Sequence, residues 1–167
     1  MITQKTKYAL KSLMALGALE PGTPLTIEEV AQRSGAPKRF LEHILLDLRK
    51  SGYLGAKRGR AGGYFLIREP AKISLGELLQ QIDGPIAPLP CLSRRAYRRC
   101  EDCDDEQSCQ LRRVFGEVFY SYLLLIESLT LQDLLKDPVM AAKTFGTGTA
   151  EAAARENGSS REPVAGE

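Results

Sequence analysis

PKRFLEHILLDLRKSGYLGAKRGRAGGYFLIR, residues 37–68, changes its hydrophobic period halfway along. Leu41, Ile44, Leu45 and Leu48 recur at helical spacing and predict one buried face. Pro37 suits the first position of that helix, where a missing N–H costs nothing, and Gly52 ends it. Leu54 to Arg58 and Tyr64 to Arg68 are short segments joined by Gly59-Arg60-Ala61-Gly62-Gly63. Three glycines in five residues permit positive φ and predict a hairpin.

Upstream, Thr3 can cap a helix carrying Tyr8, Leu10, Leu13, Met14, Leu16 and Leu19 on one stripe, with Glu20-Pro21-Gly22 as its stop. Thr26-Ile27-Glu28-Glu29 is a capping box that opens a second helix running to Ser34, with Gly35 as the break. Helix, helix, tight turn, helix and glycine-rich hairpin is the order of a winged helix-turn-helix. The fold class is therefore mainly α, with a small β-hairpin wing. In such a fold the third helix lies in the major groove, offering Lys38, Arg39, Glu42 and His43 opposite its buried face. Lys and Arg bond phosphate or guanine. Glu42 either accepts from cytosine N4 or pairs within its own helix, and His43 is either a DNA contact or a surface residue. The hairpin holds Lys57, Arg58 and Arg60, which can reach the minor groove or the backbone.

Charge distribution agrees. The chain has 167 residues and a net charge of +2, but residues 1–73 hold 13 Lys/Arg against 6 Asp/Glu, and residues 74–167 hold 10 against 15. A charge run alone is an ordinary solvated face. Here 8 Lys/Arg and 2 Asp/Glu fall on the two elements that would touch a polyanion such as double-stranded DNA. An enzyme has little support, for there is no catalytic triad, no Gly-Lys-Ser/Thr phosphate loop and no His-based metal motif. The longest apolar run, Tyr122 to Ile126, is far below the roughly 20 residues that span a bilayer. No secretory signal opens the chain, so the expected compartment is the cytoplasm, without a membrane partner.

Ser74-Leu75-Gly76-Glu77 reads as a second capping box before a short helix closed by Gly84, and Pro85, Pro88 and Pro90 form a connector. All four cysteines follow: Cys91, Cys100, Cys103 and Cys109. In a reducing compartment this clustering favours metal or redox chemistry over structural disulfides. A structural zinc, an iron–sulfur cluster and a metal-free thiol switch are the three readings. The spacings of eight, two and five residues suit zinc poorly, and a thiol switch would leave two cysteines without a task. Asp104, Asp105 and Glu106 are expected where the next helix begins. That helix carries Leu111, Val114, Phe115, Val118, Tyr122, Leu125, Ile126 and Leu129. Phe119, Leu123 and Leu124 make it apolar on more than one face, so burial against a neighbour or a second subunit is expected. Thr130 to Asp133 caps a last short helix. From about Lys143 the chain lacks large apolar groups and is expected to be disordered.

The sequence also resembles the IscR/NsrR-type regulators, bacterial winged-helix proteins that sense iron–sulfur status, nitric oxide or redox state. The likeness rests on Lys7-Tyr8-Ala9-Leu10, Phe40-Leu41-Glu42-His43-Ile44-Leu45 and Arg58-Gly59-Arg60-Ala61-Gly62-Gly63-Tyr64, continuing through Ile73-Ser74-Leu75, the Cys loop and Leu129-Thr130-Leu131-Gln132-Asp133-Leu134. It covers about residues 1–136. The resemblance implies a homodimer joined by the long helices and a regulator, expected to be a repressor, whose grip on its operator follows a cluster. It maps Cys91, Cys103 and Cys109 onto the family's three cysteines and leaves Cys100 as an extra. Where one branch has its His ligand this chain has Arg112, and where the other has an Asp it has Tyr8. Cys100 is therefore the candidate fourth ligand. The expected cofactor is a 2Fe–2S cluster, with 4Fe–4S or zinc as alternatives. The expected organisation is a DNA-binding domain over 1–84, connector and Cys loop over 85–110, dimerisation helix and short helix over 111–142, and a disordered tail over 143–167.

Overall fold

The computed structural model describes residues 2–136, so the expected tail over 143–167 lies outside the described residues. Helix α1 spans Gln4–Gly17, α2 spans Ile27–Ser34 and α3 spans Lys38–Lys50. The hairpin follows as β1, Leu54–Lys57, and β2, Gly63–Leu66, then α4, Leu75–Asp83, α5, Gln110–Ser128, and α6, Leu131–Leu135. Short 3-10 turns occupy Pro70–Lys72 and Pro90–Leu92. Mainly helical structure with one two-stranded antiparallel hairpin is the winged helix-turn-helix class that the pattern predicts.

Caps set the boundaries. Thr3 accepts from the Thr6 N–H and starts α1, which stops at Gly17 rather than at the later Glu20-Pro21-Gly22. Thr26 and Glu29 form the reciprocal capping box of α2, and Gly35 ends it at φ 64°. Pro37 is the N-cap of α3, one residue outside the helix, not its first residue: its ψ of 132° is extended. Ser74 caps α4 by accepting from Glu77, and its hydroxyl also donates to the Glu127 carbonyl of α5.

The wing has the register Leu54↔Leu66, Gly55↔Phe65, Ala56↔Tyr64 and Lys57↔Gly63. Leu25, just before α2, exchanges two backbone hydrogen bonds with Tyr64, at 2.8 and 2.7 Å. This lock requires Gly63, because a Cβ there would stand 2.2 Å from the Leu25 carbonyl oxygen. Gly62 is held in the same way under Lys57.

Two apolar cores result. In the first, Ala9, Leu13 and Leu16 of α1 meet Val30 of α2, Leu41, Ile44, Leu45 and Leu48 of α3, Leu54, Ile73 and Leu78. Leu131 of α6 belongs to it as well, delivered by backbone bonds from Leu75 N–H to Leu129 O and from Leu131 N–H to Ile73 O. Gly17 leaves room for Leu131 and Leu135. The second core joins Cys91, Leu92, Phe119 and Leu123, with Ile86, Ala87, Leu89, Cys100 and Ile126 against it. Full burial of each large apolar side chain contributes about 1.5–3 kcal/mol.

Within a single chain the long helix buries only one narrow face. Only Gly116, Phe119 and Leu123 are buried. Leu111, Val114, Phe115, Val118, Tyr122, Leu125 and Leu129 all face solvent. Asp104, Asp105 and Glu106 are not in its first turn either, for α5 starts at Gln110 with Cys109 as cap.

Leu41 of α3 is fully buried in the first core. Leu41→Ala should therefore lower unfolding free energy by about 2–5 kcal/mol in urea denaturation, the range for truncating a core leucine, whereas exposed Leu46→Ala should change it by less than about 0.5 kcal/mol.

Candidate nucleic-acid interface and cysteine loop

With Leu41, Ile44, Leu45 and Leu48 turned inward, α3 presents Lys38, Arg39, Glu42 and His43 to solvent. Lys38 is ion-paired with Glu28 of α2, and this hydrogen bond holds the Glu28 carboxyl below its usual range and the Lys38 ammonium above its own. Arg39 lies over the ring of Phe40, 4.9 Å from its centroid, and Phe40 in turn tilts against Tyr8 of α1 at 5.8 Å. The guanidinium is thus pre-oriented by an aromatic pair. Sequence reasoning missed the role of Phe40, which is exposed although it sits in an apolar-looking run. The available signal was its position beside Arg39, off the Leu41–Leu48 stripe.

Lys57, Arg58 and Arg60 are exposed on the wing, and Arg68 at its far end stacks over Tyr53 at 4.9 Å. One turn beyond His43 on α3, Asp47 pairs with Lys5 of α1 at 3.0 Å, and that bond draws the Asp47 carboxyl below its ordinary range. Both partners are half exposed, so the pair contributes at most about 1 kcal/mol. Its effect is to offset the charge of Asp47, the one acidic side chain of the outer α3 surface other than Glu42.

The second feature is the loop between Pro90 and Gln110. Cys91 is buried in the second core, and Cys100, Cys103 and Cys109 are half-buried. Cys100 packs against the cluster that contains Cys91; burial first, and the Cys91 thiol second, push its thiol above the ordinary range, while the Cys91 backbone acts the other way. Cys103 ends a tight turn whose N–H bonds the Cys100 carbonyl at 3.3 Å. Cys109 caps α5, its sulfur accepting from Arg112 N–H at 3.5 Å.

Side chains brace this loop at both ends. Arg112 donates to the Cys91 carbonyl and stands 3.6 Å from the Glu106 carboxylate, which also receives the Tyr97 hydroxyl. That bond raises the Tyr97 phenol above its usual range. Arg99 donates to the Cys103 and Asp104 carbonyls, both at 2.7 Å, and Arg94 covers the Tyr120 ring at 5.2 Å. Asp105 accepts from Gln107 and Ser108 N–H, and these bonds with Ser108 hold its carboxyl below the usual range, so the turn is intact at neutral pH.

Four uncombined thiols in one loop are suited by chemistry to a soft, thiophilic centre. They are not gathered: among the described residues no three His, Cys, Asp or Glu side chains are grouped to hold a metal. Cys91 and Cys100 share the second core, Cys91 within it and Cys100 packed against it. His43 stands apart on α3. No described helix is long and apolar enough to cross a membrane.

Comparison with known proteins adds four findings. The model of a family described as Rrf2, iron-dependent transcriptional regulator, matches residues 2–137. An rrf2-like HTH-type transcriptional regulator of Rhodobacter capsulatus is 60% identical over 146 residues, covering 86% of this chain and 97% of that protein. The HTH-type regulator NsrR of Geobacillus kaustophilus is 30% identical over 136 residues, covering 81% and 90%. Among solved structures, CymR, the global cysteine regulator of Bacillus subtilis, superposes with a TM-score of 0.65 at 26% identity, over 81% of this chain and 95% of that one.

Since Arg112 joins the start of the Cys loop to α5, Arg112→Ala should speed amide hydrogen exchange over residues 91–100 by at least tenfold while α1–α3 keep their protection. Equal exchange in both proteins would show that this tether does not hold the loop.

Proposed function

We propose, for a chain that belongs to the Rrf2 family of DNA-binding HTH transcriptional regulators, that it is a dimeric repressor whose operator affinity is set by an iron–sulfur cluster in its cysteine loop. The protein is a transcriptional regulator and not an enzyme. Its DNA contacts are assigned to Lys38, Arg39, Glu42 and His43 of α3 and to Lys57, Arg58 and Arg60 of the wing. Lys38 and Arg39 stand at the N-terminal end of α3, the end of a recognition helix that meets base edges. The wing cations address phosphate or the minor groove. Action on a chromosomal operator assigns it to the cytoplasm.

Dimer formation is supported by the uncovered stripe of α5. Leu111, Val114, Phe115, Val118, Tyr122 and Leu125 of α5, with Leu129 at its C-cap, are an interaction surface by the usual criterion of contiguous exposed apolar area. Two copies meeting along α5 would set two α3 helices on half-sites about one helical turn (~34 Å) or a multiple apart.

The observation that carries the regulatory reading is the bond from Arg112 to the Cys91 carbonyl. It makes the loop that holds every thiol and the helix that carries the exposed stripe one mechanical unit. Cys91, Cys100, Cys103 and Cys109 are the residues assigned to hold the cluster, which when bound supplies a redox-sensitive, thiolate-ligated iron centre. Arg94, Arg98 and Arg99 in the same loop offset thiolate charge. A change in loop conformation is passed by Arg112 and by the Cys109 cap to the first turn of α5, and so to the spacing of the two readers. A useful switch needs only about 1–3 kcal/mol of such coupling, or roughly 5- to 150-fold in affinity.

Anaerobic purification followed by iron, sulfide and zinc analysis tests the cofactor, and duplexes selected from a random pool supply the operator. Iron with sulfide, and at least fivefold different operator affinity after its removal, are expected; one zinc per chain without iron overturns cluster control and leaves the DNA reader. On that operator Arg58→Ala should weaken binding to all sequences and reduce the log–log salt slope by about 1, as one lost phosphate contact does. Val118→Glu combined with Leu125→Glu should shift the sedimenting species to the monomer with unchanged circular dichroism.

A further inference from the structure

One cleft of the helical domain takes no part in the DNA contacts or in the cysteine loop. It lies where α1, the C-terminal half of α3 and the end of α4 meet, and it encloses about 270 Å³. Its floor is apolar: Ala9, Ile44 and Leu48 are buried, and Ile82 beside them is half-buried. Its rim is polar and unequally satisfied. Lys5 and Asp47 neutralise each other at 3.0 Å. Lys50 acts on Asp47 through space but forms no ion pair of its own among the described residues. Asp83, which follows Ile82, does not line the cleft, and both its carboxylate oxygens accept from Thr3. The Ser51 hydroxyl accepts from the Gln81 amide at 3.0 Å, which leaves its own proton to donate.

Two cations against one carboxylate leave this lining with a positive charge in excess. The C-terminal end of a helix ordinarily disfavours an anion. Here, however, the carbonyls of Asp47, Leu48 and Arg49 are already taken by the N–H groups of Ser51, Tyr53 and Gly52 respectively. A few polar groups converging over an apolar floor form the pattern of a small-molecule site, and a volume just under the usual lower bound of roughly 300 Å³ limits the occupant to a small one.

We propose that this cleft binds a short-chain aliphatic monocarboxylate of about four to six carbons. The carboxylate accepts a charge-assisted bond from the Lys50 ammonium and a second bond from the Ser51 hydroxyl. Its hydrocarbon chain covers the apolar floor and displaces water from it. A cationic ligand would meet Lys5 and Lys50, and a zwitterion would have to take Asp47 from Lys5. The bound ligand joins the end of the reader helix to α4, whose cap Ser74 is bonded to the Glu127 carbonyl of α5. The site therefore lies between the reader and the long helix.

The full-length protein as isolated is titrated with sodium pentanoate at constant ionic strength, and binding is followed by calorimetry and by amide shifts in two-dimensional NMR. Half-saturation at or below about 1 mM is expected, an affinity within reach of a ligand of this size. The largest shifts should fall on Ala9, Leu48, Ser51 and Ile82. Lys50→Ala should weaken binding by about tenfold or more, as loss of one charge-assisted bond does, with unchanged circular dichroism, and Lys50→Arg should restore most of it. Acetate, which lacks the chain, should bind at least about tenfold more weakly, and so should pentan-1-ol and pentylammonium, which lack the carboxylate. No saturation by about 10 mM, shifts confined to another part of the chain, equal binding of pentan-1-ol or pentylammonium, or a Lys50→Ala protein that binds like the parent overturns the proposal. None of these measurements needs an operator or a cluster, so their failure leaves the DNA-binding and cluster readings untouched, and failure of those readings leaves this one.

Discussion

Burial of Leu41, Ile44, Leu45 and Leu48 against α1 and α2 is the constraint on which the rest of the molecule depends. A helix of 13 residues has little stability alone, so its conformation comes from the stripe it buries. Once that stripe points inward, 3.6-residue geometry leaves no choice about what points outward: Lys38, Arg39, Glu42 and His43 share the solvent face. The wing is set by the same core through Tyr53 and Leu54, and is then tied to the start of α2 by the Leu25–Tyr64 bonds. Reader helix and wing are thus parts of one rigid body, which lets two separated basic groups address one duplex.

The second core serves a different purpose. It is small, and it is built from the connector, the first cysteine and the inner residues of α5. Such a core gives a loop a defined resting conformation without making it immovable, the property expected of the less stable elements that move in regulation. Arg112 and Glu106 are only partly exposed and lie at its edge, where their interaction is less screened than at the open surface. The outer stripe of α5 is a debt of exposed apolar area that an isolated chain does not settle.

Much of this was legible without coordinates. The capping box at Thr26 and Glu29 marks the first residue of α2, because side chain and backbone must satisfy each other locally. The glycines of 59–63 predict the hairpin for an equally local reason, although the reason Gly63 must be glycine, the Leu25 carbonyl beneath it, is a long-range contact. Pro37 stands one residue outside the position its sequence context predicts, because N-cap and first-turn positions both tolerate a missing N–H. The charge pattern puts Asp104 to Glu106 at a helix start, yet Asp105 spends its carboxylate on a turn and Cys109 is the cap, since a sulfur acceptor is not part of the usual capping vocabulary. Phe40 and Arg112 were hardest to read. One is an apolar residue used as a platform for a cation, and the other makes its decisive bond to a backbone carbonyl 21 residues away.

By itself the sequence determined the helices, the wing, the basic face and the confinement of all thiols to one loop, because caps, period and composition act over a few residues. Tertiary structure alone decided that Leu131 returns to the first core, that the stripe of α5 stays uncovered within the chain, and that Cys100 rather than Cys103 or Cys109 packs against the second core with Cys91. Those outcomes follow from which surfaces exclude water together. Spacing along a chain does not contain that information.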